Sequence, residues 1–138
     1  MDLNRYHEQH GEIQAQLQEM HRRLEPGAFA QDPGPARASL VTLAARLNIH
    51  LAFEDQALYP SLLRNPSPAV QAKARQYMDE MGGLKERLAA LMGRWVSAQR
   101  VQQEPQAFRA EAREFLQALE RRLQGEDQDF YPLLERLA

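Results

Sequence analysis

Residues with the chemistry of metal ligands interrupt otherwise apolar stretches of the sequence at helical spacing. His50 and Glu54 are four residues apart, as are Arg122 and Glu126, and His10 lies nearer the N-terminus. Residues four apart on a helix share one face, so an imidazole and a carboxylate can point to the same place. Imidazole and carboxylate ligands together suit a divalent transition metal such as iron, manganese or zinc.

The composition restricts the other chemistry that the chain can perform. Its 138 residues are 43% hydrophobic and 26% charged, with a formal net charge of -2 and no cysteine. Disulfides, thiolate metal sites and cysteine nucleophiles are therefore excluded. There is no basic stripe for nucleic acid, no apolar run of the roughly 20 residues that span a membrane, and no signal region at the start. We expect a cytoplasmic protein that binds neither nucleic acid nor membrane.

Helices must position these residues, because apolar side chains recur at alternating steps of three and four in four segments. The predicted inward stripes are Leu3, Tyr6, His10, Ile13, Leu17, Met20 and Leu24; Leu40, Leu43, Leu47, His50, Glu54 and Leu58; Tyr77, Met81, Leu84, Leu88, Leu91 and Trp95; and Phe115, Leu119, Arg122, Glu126, Phe130, Leu133 and Leu137. Pro60 is expected to kink or end the second helix. The pattern predicts an all-α fold, an up-down-up-down antiparallel four-helix bundle, as a single domain over residues 1–138.

The chain also contains two copies of one helical hairpin, covering about residues 1–65 and 66–138. The matched motifs are His50-x-x-x-Glu54-Asp55-Gln56-x-Leu58-Tyr59-Pro60 and Arg122-x-x-x-Glu126-Asp127-Gln128-x-Phe130-Tyr131-Pro132. Upstream, Tyr6 and His10 match Tyr77 and Met81. The repeat therefore places the polar interruptions of the different helices at one level of the predicted bundle.

With its motifs in this order, the sequence resembles the hemerythrin-like (HHE cation-binding) family. The resemblance covers essentially the whole chain through His10-x-x-Ile13-x-x-x-Leu17, His50-x-x-x-Glu54-Asp55-x-x-Leu58-Tyr59-Pro60 and Glu126-Asp127-x-x-Phe130-Tyr131-Pro132. It implies a bundle that holds a non-heme di-iron centre through histidines from all four helices and two bridging carboxylates. It also implies a role in binding dioxygen or nitric oxide, or in iron and redox sensing.

The chain departs from the family pattern at two histidine positions. Met81 stands where the third helix should provide a histidine, and Arg122 stands where the fourth should. In the family, the first two helices' histidines serve one iron and those of the last two serve the other, so no di-iron centre is expected. The spare histidines His7 and His21 lie on the first helix and are expected at the surface. The candidate single-metal set is His10, His50, Glu54 and Glu126.

Arg122 is a candidate replacement for the charge of the missing iron. Two uncompensated carboxylates in a core cost several kcal/mol each, and the arginine fork matches carboxylate geometry. We therefore expect Arg122 to bond Glu54, Glu126 or both, while Met81 fills the volume of the other lost imidazole. Either one metal ion lies beside Arg122, or no metal binds and Arg122 and the histidines neutralise the glutamates. The fixed cation favours the metal-free form.

Four further residues adjoin the predicted site. Tyr6 and Tyr77 lie one turn before the site positions of their helices and are expected to line the site, with hydroxyls that can reach a glutamate. Asp55 and Asp127 directly follow the two core glutamates and are expected to face outward or to cap interactions between helices.

The sequence shows no catalytic triad, phosphate-binding loop or nucleotide motif. We therefore predict a non-enzymatic sensing, metal-handling or regulatory module with no cofactor or with one divalent metal ion, for which iron is favoured. Two alternatives stay open: a functional non-heme iron protein that binds dioxygen or nitric oxide, and a metal-free bundle that acts only through protein contacts. A small ligand or a protein partner is compatible with each, and the sequence does not indicate the oligomeric state.

Overall fold

A computed structural model describes residues 3–137, without the side chain of residue 137, and its regular elements are all helical. The elements are α1 (Asn4–Leu24), α2 (Pro26–Gln31), α3 (Gly34–Phe53), a first π-turn (Glu54–Leu58), α4 (Tyr59–Leu63), α5 (Pro68–Arg94), α6 (Ala98–Gln103), α7 (Pro105–Gly125), a second π-turn (Glu126–Phe130) and α8 (Tyr131–Leu137). The predicted all-α class is confirmed for this part of the chain. None of the helices in it combines the length and the apolar composition that crossing a membrane requires.

Proline and serine mark where the helices begin. Proline lies in the first turn of α2, α3, α5 and α7, where the backbone N–H that it lacks has no partner within the helix. The hydroxyls of Ser67 and Ser97 accept hydrogen bonds from backbone N–H groups of α5 and α6, which satisfies one free donor at each helix start.

Four long helices pack around one interior, α1 against α3 and α7, and α5 against α3 and α7. Their inward residues form two apolar clusters, one at each side of the level of His10, His50 and the two glutamates. The predicted inward residues of the first three stripes are buried, and Tyr6 alone among them is half-buried. Helical periodicity therefore identified the core correctly along most of the chain.

Both glutamate-bearing segments contain a π-turn that begins at the glutamate. The N–H groups of Tyr59 and Tyr131 donate to the carbonyls of Glu54 and Glu126, five residues back. The wider turn precedes each Tyr-Pro pair and makes room for the proline ring, which would clash with an α-helical carbonyl. Pro60 therefore does not end the helical path, which continues from the π-turn into α4, although the regular α-helix is interrupted at Glu54–Leu58 just before it.

The extra residue in the second π-turn rotates the face that follows it. Phe130, Tyr131 and Leu134 are buried there, whereas Leu133, which the α-helical spacing placed inward, is only half-buried. The side chain of Leu137, also predicted inward, lies outside the described part. A residue inserted into one turn shifts all later side chains around the helix, and this shift brings Tyr131 toward the interior.

Candidate metal centre

Polar and charged residues that are buried in the described chain form a single group deep in the bundle. They have between 0 and 2% of their surface exposed, and they are His10, His50, Glu54 and Glu126. The group draws on α1, α3 and both π-turns, so its assembly requires the packed tertiary fold. These are the residues that the sequence suggested as a single-metal set, and the structure brings them together.

The ligand-type atoms of this group converge. His10 Nε2 and His50 Nε2 are 3.0 Å apart, and His50 Nε2 is 2.7 Å from Glu54 Oε1. Glu126 Oε1 lies 3.7 Å from the first of these nitrogens and 4.0 Å from the second. Two ligands at right angles around a transition metal, each about 2.1 Å from it, are themselves about 3 Å apart. The separation of the imidazole nitrogens therefore fits neighbouring positions on one ion.

Outer hydrogen bonds determine which imidazole nitrogens face the centre of the group. His10 Nδ1 donates to Asp127 Oδ1 at 2.9 Å, and His50 Nδ1 donates to Gln9 Oε1 at 2.8 Å. Both oxygens can only accept, so each Nδ1 carries the hydrogen and the Nε2 lone pairs of neutral rings point toward each other. An oxygen acceptor behind each ring is the arrangement that orients metal-binding histidines.

Several carboxylate oxygens in the group have no hydrogen-bond donor. Within the described residues, this holds for both oxygens of Glu126 and for Glu54 Oε1, which lies close to His50 but outside hydrogen-bond geometry. A buried polar atom without a partner is costly, and a group of them around facing lone pairs needs a cation. His10, His50 and Glu126 each offer a ligand atom within 4.8 Å of the other two, so these three residues could hold one divalent transition metal ion, and Glu54 adjoins them through His50.

Protonation of these residues in the metal-free protein follows from their burial and their neighbours. Burial lowers the pKa of His50, but its contacts with Glu126 and Glu54 outweigh burial and raise the pKa to about 9. Burial, together with the charge of Glu54, raises the pKa of Glu126 well above its usual value. Burial also opposes ionisation of Glu54, but Glu126 and His50 lower its pKa overall. Without metal, protons on His50 and Glu126 therefore supply the compensation.

Two buried tyrosines complete the surroundings and were not identified as site residues from the sequence. The Tyr59 hydroxyl donates to Glu54 Oε2 at 3.1 Å. The Tyr131 hydroxyl lies 3.1 Å from His10 Nε2 and 3.5 Å from Glu54 Oε2. Burial beside the carboxylates raises the pKa of both phenols. The sequence feature that could have identified them is their matched position in the two repeats. In the structure, each of these tyrosines directly follows a π-turn.

Arg122 does not enter the site, and the prediction that it bonds Glu54 or Glu126 is wrong. Its guanidinium pairs with Glu80 of α5 and lies 5.3 Å from the centre of the Tyr77 ring. Its side chain remains 22% exposed. A partly hydrated ion pair at the α5–α7 surface costs less desolvation than a guanidinium buried between the glutamates.

Met81, Tyr6 and Tyr77 were also expected at the site, and their side chains differ in what they contact. Met81 is 3% exposed and packs in the larger apolar cluster. Tyr6 is half-buried, with its ring edge-on to His50 at 6.4 Å between ring centres, so it does border the site. Tyr77 instead donates its hydroxyl to Asp129 and stacks on Phe130, so the expectation that it reaches a glutamate is wrong.

Asp127 takes the second of its two expected roles, a contact between helices. Its side chain is 29% exposed, and it reaches across to α1 to hold His10. The matched Asp55 is exposed, as predicted. His7 and His21 are 43% and 48% exposed, also as predicted, and contact surface glutamates. Spacing alone could not distinguish the two aspartates, because only the packing of α1 beside the second π-turn creates the contact.

Comparison with known proteins gives one positive result. The model of the family described as "Hemerythrin HHE cation binding domain" matches residues 1–134. No significant match was found among curated proteins or among solved structures. Because the family model covers nearly the whole chain, including the histidine and glutamate segments described above, the protein belongs to the hemerythrin HHE cation-binding domain family.

Proposed function

We propose that this protein binds one divalent transition metal ion, with iron favoured, and forms no di-iron centre. The proposed ligands are His10, His50, Glu54 and Glu126. The observation that carries the proposal is the pair of imidazole Nε2 atoms 3.0 Å apart, each turned inward by an oxygen acceptor on its other nitrogen. Such lone pairs repel each other unless a proton or a metal ion lies between them.

The absence of a second nitrogen pair supports a single ion. Met81 and Arg122 occupy the positions that supply the second metal's histidines in the family. The first is packed among apolar side chains, and the second is held at the surface by Glu80. A second ion would retain only carboxylates shared with the first, which is a poor donor set for a transition metal.

The displacement of Arg122 also changes the balance between the metal-bound and the metal-free forms. With no permanent cation among the described residues near Glu54 and Glu126, the positive charge must come from a proton or from a metal ion. A metal-free bundle is the second candidate, and the pKa of about 9 at His50 favours it, since the proton on this ring neutralises one glutamate at neutral pH.

A bound iron ion would supply Lewis acidity and one-electron chemistry at this position. The chain's own residues would hold and orient it: Asp127 and Gln9 fix the two rings, and Tyr59 donates to Glu54. No paired nucleophile and base accompany them in the described chain, and the ligands are fully buried. We therefore propose a sensing, metal-handling or regulatory role without catalysis; dioxygen or nitric oxide remains an alternative small ligand.

The proposal also includes the up-down-up-down antiparallel order of α1, α3, α5 and α7 and a cytoplasmic location. The helix order is supported by the packing of α1 with α3 and of α5 with α7, since each pair is joined by a short connection. The cysteine-free sequence is compatible with the cytoplasmic location.

Metal analysis tests the proposal directly. Protein purified without chelator, and protein reconstituted separately with Fe(II), Mn(II) and Zn(II), should contain at most one ion per chain by mass spectrometry. His50→Ala should weaken binding more than about 100-fold, since loss of a ligand exceeds loss of an outer partner. His21→Ala, which removes an exposed histidine of α1, should not change binding.

Each outcome of this test selects one candidate. Two ions per chain, or the near-ultraviolet and visible bands of an oxo-bridged di-iron centre, would overturn the single-metal proposal. Failure to bind any of the three metals would favour the second candidate, a metal-free bundle that acts only through protein contacts.

A further inference from the structure

The outer face of α3 is almost free of charge and carries exposed aliphatic side chains, although it also includes Thr42 and Asn48 and points away from the bundle interior. Exposed large hydrophobic side chains in the described chain are Val41, Ile49 and Val96, at 41, 56 and 66%, and the first two lie on α3. Exposed alanines continue the same face at helical spacing. We call this set the outer stripe: Val41, Ala45, Ile49 and Ala52. Arg46 is the only Lys, Arg, Asp or Glu between residues 38 and 52.

A surface helix normally carries charge on its outward face, and one that is apolar all round is normally buried. The outward positions of α7 follow the normal pattern, since Arg113, Glu114 and Arg121 are exposed there. The outer stripe therefore differs from the rest of the bundle surface, and its composition is that of a covered face.

Beside the outer stripe, α1 and α3 enclose a groove of about 500 Å³. Ile49 and Phe53 are its apolar wall, and its charged residues are Arg5, Glu8, Glu12 and Arg46. Arg5 lies over the Phe53 ring, and Arg46 contacts a backbone carbonyl. These four charged side chains form no ion pair with another described residue, so two positive and two negative charges are available at the rim.

We propose that this face is the interface of a homodimer, with the α3 helices of two copies packed antiparallel. A two-fold interface places one patch against itself, so any charges at its rim must include both signs if they are to pair. The rim meets this requirement, because its two arginines and two glutamates can pair across the axis. A nucleic acid or a strongly charged protein partner would instead select a surface of one sign.

The order of side-chain sizes along the stripe indicates the register. With the axis between Ala45 and Ile49, each Ile49 lies over the partner's Ala45, and each Val41 lies opposite the partner's Phe53. Large side chains then meet small ones at the centre, as close packing of two helices requires. The stripe is about 17 Å long, so the interface is small and the dimer is expected to be weak and reversible.

The same contact would cover a solvent-facing side of the metal centre. Gln9, which lines the groove, is half-buried and accepts the hydrogen bond from His50 Nδ1. The dimer itself does not depend on metal binding, so its test is independent of the proposed function.

Sedimentation equilibrium of the full chain from about 1 to 500 µM should show a reversible monomer–dimer transition. Ile49→Lys should raise the dissociation constant at least about tenfold by placing two like charges at the axis. The matched control is Val96→Lys, which adds the same charge at another exposed aliphatic residue and should leave the constant unchanged. Circular dichroism should show equal helicity in all three proteins.

The absence of cysteine allows the register to be tested by disulfide trapping. When Ala45→Cys and Ile49→Cys chains are mixed and oxidised, they should cross-link to each other in preference to their own kind. A preference for like-with-like cross-links would overturn the antiparallel register. A wild-type chain that stays monomeric throughout would assign the stripe to a different partner and overturn the proposal, as would a dimer that Ile49→Lys does not weaken.

Discussion

The two hairpins of this bundle have the same local architecture but different side chains at the matched site positions. Each contains a glutamate that begins a π-turn and a Tyr-Pro pair that follows it. The first hairpin adds His10 and His50, whereas the second has Met81 and Arg122 in the matched places. The comparison shows that the same local backbone can carry different side chains at the matched positions.

The two replacements were accommodated in different ways. Met81 joined the apolar core, where a flexible thioether side chain fills the available volume. Arg122 turned to the surface and paired with Glu80. Neither compensates the buried glutamates, so the charge balance of the metal-free site depends on the protons at His50 and Glu126.

The largest expected change restores the second hairpin. The double substitution Met81→His and Arg122→His should raise the metal content from one to two ions per chain, because it returns an imidazole to each vacated ligand position. Mass spectrometry of the native protein measures the ratio, and iron-loaded protein should gain bands of a bridged di-iron pair. Arg121→His with Met81→His is the control, since residue 121 is exposed; an unchanged ratio in the first variant would contradict the comparison.

The second prediction concerns the proton that His50 carries in the metal-free protein. In the metal-free protein its pKa of about 9 lies above the unfolded value of 6.5, so its stabilisation is complete below pH 6.5 and is lost as the pH rises through 9. The raised pKa of Glu126 acts in the same direction. Urea unfolding should show a loss on the order of 3 kcal/mol between these pH values.

Two controls define this prediction further. His50→Gln should flatten the pH dependence, whereas His21→Ala should preserve it because that histidine is exposed. Stability of the wild-type metal-free chain that is constant or rises over this range would contradict the assignment of a proton to His50.

The third prediction compares the two matched aspartates. Asp127→Asn removes the carboxylate that holds His10, and loss of such an outer partner typically weakens metal binding 10- to 100-fold. Asp55→Asn changes the exposed counterpart in the first hairpin and should have no effect. Competition with a metal-sensitive dye measures both affinities, and equal effects of the two substitutions would remove the proposed role of Asp127.

The smallest expected effect separates the two matched tyrosines. The Tyr131 hydroxyl contacts the His10 nitrogen that would bind metal, so that contact must be given up on binding. Tyr131→Phe should therefore strengthen metal binding about fivefold, since one hydrogen bond contributes about 1 kcal/mol. Tyr59 bonds only Glu54, so Tyr59→Phe should weaken binding slightly or leave it unchanged. Weaker binding in both variants would show that Tyr131 supports the bound state.

Helical periodicity predicted most of the core, because within an α-helix the spacing of residues determines which side chains share a face. It placed His10, His50, Glu54 and Glu126 at one level, and the structure has all of them buried together. It failed for Leu133 because the second π-turn adds a residue that single-sequence spacing does not reveal.

Residue types and their order therefore determined the all-α class, the apolar stripes and the family of this protein. Only the tertiary structure decided that Arg122 pairs with Glu80, that Asp127 reaches His10, and that Tyr131 enters the site. These contacts join helices far apart in the sequence, and a long or charged side chain takes the partner with the lower desolvation cost among those that packing brings within reach.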